Sequence, residues 1–372
     1  MATDRRRLLL AGAALPLLGL PGPGTAAPAP RGSRAQRLLA CRSDQRGRHH
    51  ATLLDSRGAR LLDIPLPGRG HGFAVSHNDR RAVIFARRPG DFMLAIDLAA
   101  QRAVAQIGAA SGRHFYDHGA FSADDRLLYA TENAYEAGQG RIGVYDVAHG
   151  FHRVGELDSH GIGPHEIALD PDGRSLLVAI GGIRTHPDLP RAKLNLNSMR
   201  SALVRIDAAS GDLLAEHRTP QRWQRLGIRH LDVAPTGQVA LALQYEGPTE
   251  DRPPLVGLLD RDAVRWLQAP PGVQDAMRNY TGAVRFLADG SGFAVSAPRG
   301  GLVTLWAADG SYRCRLNQAD ACGLAAAGDR LWYSDGLGGL SVEPAGADDR
   351  RIAFQDTRWD NHMVALGDGA AD

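Results

Sequence analysis

Five histidines open short apolar stretches along the chain: His71, His118, His165, His230 and His362. An interval of 47 residues separates His71 from His118, and the same interval separates His118 from His165. Carboxylates accompany them, Asp117 just before His118 and Glu166 just after His165. Imidazoles converging with carboxylates suit a transition metal such as iron, copper or zinc. The candidate metal ligands are therefore His71, His118, His165, Glu166, His230 and His362. The chain lacks a CxxCH motif, which argues against covalent c-type haem.

Chemistry at a regular spacing calls for a repeating scaffold. His71–Arg80, His118–Arg126, His165–Arg174 and His230–Gln238 share one pattern: a short strand, a polar tight turn, then a second apolar strand. A fifth copy is Gly282–Gly290, and a degenerate sixth runs from Cys322 to Arg330. A seventh starts at His362 and stops after one strand. Between copies lie hairpins of the form apolar-Asp-turn-apolar, as at Ile96-Asp97, Tyr145-Asp146, Ile206-Asp207 and Leu259-Asp260. The interval is close to the ~40–45 residues of a four-stranded propeller blade.

The two ends are complementary. Residues 38–66 carry strands and a hairpin but no opening strand, whereas His362–Leu366 is an opening strand with nothing after it. The pattern predicts an all-β, seven-bladed β-propeller over residues 36–367, closed by pairing the N-terminal strands with a C-terminal innermost strand. A two-sheet sandwich would not call for complementary ends.

Propeller geometry sorts the loops onto two faces. The first-to-second strand turns, such as Pro171-Asp172-Gly173, are bland. The second-to-third loops share a face with the starts of the innermost strands, and there the polar residues collect. They supply Arg88, Glu132, Asn133, Arg184, His186, Tyr245, Glu246 and Arg299 as candidate ligand-binding residues, with Asn361 beside the last histidine. The third of these loops is long, because 65 residues separate His165 from His230. The arginines suit an anionic ligand.

Two other readings stand beside the metal site. In WD-type propellers a histidine just before the innermost strand anchors its blade through hydrogen bonds, and the polar rim would then be a metal-free protein-docking platform. Alternatively, Glu132, Asn133, Glu166 and Asn361 could serve a propeller enzyme, a metal-dependent hydrolase or oxidoreductase. Neither Gly-x-Ser-x-Gly nor His-Glu-x-x-His occurs at a suitable place to support that.

The N-terminus reads as an export signal over residues 1–28. Arg5-Arg6 precede the apolar run Leu8–Leu20, which fits the twin-arginine pattern and predicts folded export to the periplasm. No other apolar stretch is long enough to span a bilayer. The net charge is +2 with basic residues scattered, so no nucleic-acid partner is expected. Of the three cysteines, Cys314 and Cys322 could pair and leave Cys41 over.

Several stretches resemble domain-of-unknown-function family 1513, a bacterial periplasmic propeller family of WD40 or YVTN type. They include Phe115–Gly119, Gly163–Glu166, Gly181–Pro187, Lys193–Leu196, Gln244–Gly247, Ala297–Gly301 and Trp359–His362. The resemblance spans about Leu38 to Leu366. It implies partnership with periplasmic iron-uptake proteins, the imelysin-like and di-haem-oxidase-like proteins. It assigns no catalytic residue.

Overall fold

In the computed structural model, residues 36–88, 90–189, 192–343 and 351–367 are described. The expected signal, residues 1–28, lies outside them. Strand composition already separates inner from outer positions. Arg81–Ala86 and Ser175–Ile180 are apolar almost throughout and buried on both faces. Arg102–Gly108 and His152–Asp158 instead alternate between exposed and partly buried residues. Continuous apolar runs mark strands covered on both sides, and alternation marks strands with one face in water.

The strands form seven antiparallel four-stranded sheets arranged as blades. We number the blades by their innermost strands: Gly70–Val75 (blade 1), Arg113–Phe121 (blade 2), Pro164–Leu169 (blade 3) and Leu226–Val233 (blade 4). Ala283–Phe286 and Ala321–Ala327 open blades 5 and 6. Blade 7 combines the C-terminal strand Arg358–Leu366 with Arg37–Ser43, His49–Asp55 and Arg60–Leu66 from the other end of the domain. Its two ends are zipped in antiparallel register, with Arg37 opposite Leu366 and Ala40 opposite Met363.

The core lies between neighbouring blades. Phe85 of blade 1 packs edge-on against Phe115 of blade 2, and Tyr145 backs them. The largest cluster joins blades 3, 4 and 5 around Leu241, Leu258 and Trp306. The three cysteines are free; Cys314 is exposed on an outermost strand while Cys322 is buried, so the pairing considered from sequence does not form. Burial pushes the Cys322 thiol up to about 12.

One backbone feature governs the axis. Six of the seven innermost strands break register with their neighbour: at Gly70/Phe73, Phe115/Gly119, Pro164/Ile167, Ile228/His230 and Ala321/Leu324, and opposite Ala40/Arg42 in blade 7. Such bulges insert extra residues into one strand and re-aim their side chains. In blade 2 the bulge places Asp117 at a φ of 78°, a left-handed conformation for a residue with a side chain.

Candidate functional site

Each of the five sequence-predicted histidines lies within or at the edge of a bulge. His71, His118, His230 and His362 are buried, and His165 is partly buried. Their rings close a pentagon across the axis. Centroids are 4.5 Å apart for His362–His71, 5.5 Å for His71–His118 and 5.0 Å for His118–His165. They are 4.8 Å apart for His165–His230 and 4.7 Å for His230–His362. Ligand nitrogens of His71, His118 and His362 fall within 4.8 Å of one another, and so do those of His118, His165 and His230.

Close approach of the first two rings depends on Gly72. A Cβ there would lie 2.3 Å from the Asp117 carbonyl oxygen and 2.7 Å from His118 Nδ1.

Carboxylates hold the rings from outside. Asp360 receives a hydrogen bond from His71 Nδ1 at 2.8 Å and is flanked by Arg69 and by Arg87 at 3.3 Å. Burial pushes the Asp360 carboxyl up, but His71 and the two guanidiniums outweigh it and hold it well below the usual carboxylate range. Glu166 accepts from His230 Nδ1 at 3.0 Å and from the Leu231 backbone N–H at 3.1 Å. Its other oxygen is 3.7 Å from His118 Nδ1. A carboxylate on Nδ1 fixes the tautomer and leaves Nε2 with a free lone pair.

Three of the pentagon's ring nitrogens are buried without a hydrogen-bond partner, His118 Nε2, His165 Nδ1 and His362 Nε2; outside it, among the described residues, both nitrogens of His50 share that state. Burying a polar atom unpartnered is costly, and native proteins rarely tolerate it without a reason. Four of the rings, those of His118, His165, His230 and His362, are also held neutral. Burial first, opposed in part by Glu166, pushes His118 down to about 3. Burial and then the neighbouring imidazoles push His165, His230 and His362 well below the ordinary histidine value. Neutral rings with free lone pairs are the form in which histidine binds a metal.

The pentagon separates two openings. On the loop-rich face a cavity of about 720 Å³ has His71, His165 and His230 in its wall. On the other face His118, His362 and Glu166 line a smaller hollow.

The remaining candidates divide. Arg88, Glu246, Arg299 and Asn361 line the larger cavity. Glu132 and Asn133 do not; they belong to the strand Leu127–Ala134 rather than to a rim loop. Glu132 is fully buried within blade 2, where it accepts from Tyr145 Oη at 2.6 Å and from Arg153 at 2.9 Å. Asn133 donates to His114 Nε2 at 2.9 Å and to the Thr185 carbonyl at 3.2 Å, which ties down the long blade-3 loop. Arg184 lies against Gly138, and His186 packs edge-on against Tyr135, both away from the cavity. Tyr245 donates to Asp251 at 2.6 Å and lines a smaller neighbouring hollow rather than the main cavity.

Sequence reasoning passed over Asp360 and Arg229 as site residues. Arg229 precedes His230 and is 7% exposed, and its Nε has no hydrogen-bond partner. Burial and then the charge of Arg88 pull its guanidinium below the ordinary value. Arg229 stands one residue and Asp360 two residues before a repeat histidine, and Asp360 also lies in the Trp359–His362 stretch that carries the family resemblance.

Seven four-stranded blades around an axis plugged by histidines define a β-propeller. Residues 64–366 match the sequence model of the family described as a protein of unknown function, DUF1513, and the chain belongs to that family. Among solved structures it is similar to Kuenenia stuttgartiensis hydrazine synthase, with 13% identity and a TM-score of 0.60. That likeness covers 79% of this chain and 88% of the other and is one of fold. No curated protein matches the chain.

Proposed function

We propose that this propeller binds a transition-metal ion in the histidine pentagon and acts as a metal-handling protein rather than as a hydrolase. The observation that carries this reading is the set of buried, unpartnered nitrogens on His118, His165 and His362, within a cluster whose other rings are braced by Asp360 and Glu166. A tetrahedral site with metal–nitrogen bonds of about 2.1 Å needs nitrogens about 3.4 Å apart, so small ring rotations would gather either triad onto one ion. Imidazole-rich sites suit iron, copper and zinc. Glu166 and Asp360 would serve as outer partners that keep the rings oriented and basic. A bound ion would also offset the cost of leaving those nitrogens bare.

Periplasmic location follows from the twin-arginine signal in this reading, and iron-uptake proteins of the imelysin-like and di-haem-oxidase-like kinds are the proposed partners by family resemblance. Metal content of the full mature chain purified from periplasm, read by mass spectrometry, tests the site. Near-stoichiometric metal is expected. His118→Ala combined with His165→Ala should abolish it while circular dichroism stays native. Protein that carries no metal, and that takes up neither Zn²⁺, Cu²⁺ nor Fe²⁺ on titration, would be a docking platform instead.

A further inference from the structure

The cavity above the pentagon is strongly cationic. Six Arg or Lys side chains line it against two carboxylates, Asp117 and Glu246. Half of those cations are already matched. Arg69 and Arg87 serve Asp360, and Lys193 pairs with Glu246. Asp117 is engaged by the Arg88 backbone N–H at 2.8 Å. Arg88, Arg229 and Arg299 remain, and among the described residues none of the three makes an ion pair.

Arg229 is the telling member. A guanidinium cannot shed its charge as a buried lysine can, so burying it without an anion is unfavourable. The fold nevertheless makes room for it: a Cβ on Gly181 would lie 2.7 Å from Arg229 Nη1. Arg88 repels it, and Glu246, which Lys193 already engages, offsets that repulsion only in part. The other two arginines are steered by aromatic rings, Arg88 at 5.8 Å from the Tyr116 centroid and Arg299 at 4.2 Å from that of Tyr280.

We propose that this mouth is a binding site for a small polycarboxylate anion, gripped by Arg229, Arg88 and Arg299. The planar fork of arginine matches a carboxylate in bidentate fashion. Three guanidiniums with separate anchors suit several spaced carboxylates better than one compact ion. The anion site stands on the arginines alone. Its further role, presenting a carboxylate to the metal from the His71, His165 and His230 side, rests on the metal reading above.

Calorimetric titration of the full mature chain, stripped of metal on a chelating resin, tests the site with citrate and, separately, with inorganic phosphate. Citrate should bind, and phosphate at least tenfold more weakly. Arg229→Met should weaken citrate at least tenfold, and so should Arg88→Met, which keeps the test open if the buried change unfolds the protein. Arg313→Met, on an outermost strand of blade 5, should leave citrate binding unchanged. Citrate affinity indifferent to both mouth substitutions, or phosphate binding as tightly as citrate, overturns the proposal. Metal uptake without citrate binding sinks this inference alone. Citrate binding to a protein that never takes metal sinks the metal reading alone.

Discussion

Blades 7, 1, 2, 3 and 4 each send a histidine to the axis, whereas blades 5 and 6 send none. The five contributors are consecutive around the ring, so the pentagon must close across the two silent blades. It does so at His230–His362, with centroids 4.7 Å apart. The silent blades make this possible by being small at the axis. Their innermost strands open on Ala283 and on Ala321-Cys322-Gly323. A Cβ on Gly323 would lie 3.1 Å from the backbone carbon of His362 and 3.1 Å from Met363 Cβ. One arc supplies ligand atoms and the other supplies space. A bulge alone does not make a ligand position, because blade 6 is bulged at Ala321/Leu324 and still carries no histidine there.

The harshest break of this contrast is removal of residues 358–372. That deletes His362 together with the innermost strand of blade 7, and it bares the edge of Arg37–Ser43. Loss of soluble monomer on size-exclusion chromatography is expected. A truncated protein melting at the unchanged temperature would show that the two ends do not hold the ring.

Acid should strike the histidine arc next. His118, His165, His230 and His362 all have folded values below the unfolded one, so between the two the unfolded chain binds protons that the folded chain refuses. Stability of metal-free protein is therefore full above about pH 6.5 and falls as pH drops below it, by about 1.4 kcal/mol per pH unit for each ring that stays neutral. Urea midpoints at pH 7 and pH 5 measure this. Replacing His118 and His165 by Gln should flatten the dependence, and an equally steep slope in that variant would place the titrating groups elsewhere.

Matched glycine substitutions sharpen the comparison further. Gly72→Ala would drive a methyl into the Asp117 carbonyl and the His118 ring, so it should cost about 1–3 kcal/mol and abolish metal uptake. Gly282→Ala in blade 5 meets Pro298 Cγ at 2.8 Å, a side-chain neighbour away from the pentagon, and should leave metal uptake intact. Equal metal loss in both variants would mean that the silent blade is not silent. The smallest effect belongs to Ser296→Ala. Its buried hydroxyl donates to the Cys322 carbonyl at 2.8 Å, so about 1 kcal/mol of stability should go with neither metal nor citrate binding altered.

Blade number, ring closure and the five histidines were legible because they depend on local alternation, turn residues and spacing along the chain. Glu132 and Asn133 were misread as rim residues for the same reason. Both types suit a ligand site, but only cross-strand partners reveal that Tyr145, Arg153 and His114 already use them. Arg229 shows the reverse failure: in sequence it is one arginine among many, and in space it is a buried charge that makes no ion pair among the described residues.

By itself the sequence determined a propeller of seven repeats with imidazoles at five of them. Only the tertiary structure decided that those imidazoles meet. Convergence depends on the bulges at Gly70/Phe73, Phe115/Gly119, Pro164/Ile167 and Ile228/His230, and opposite Ala40/Arg42, each a matter of pairing between strands. It depends equally on glycines whose missing Cβ atoms matter only once another strand lies against them. Pairing register and close approach belong to the packed backbone, and no single stretch of residues carries them.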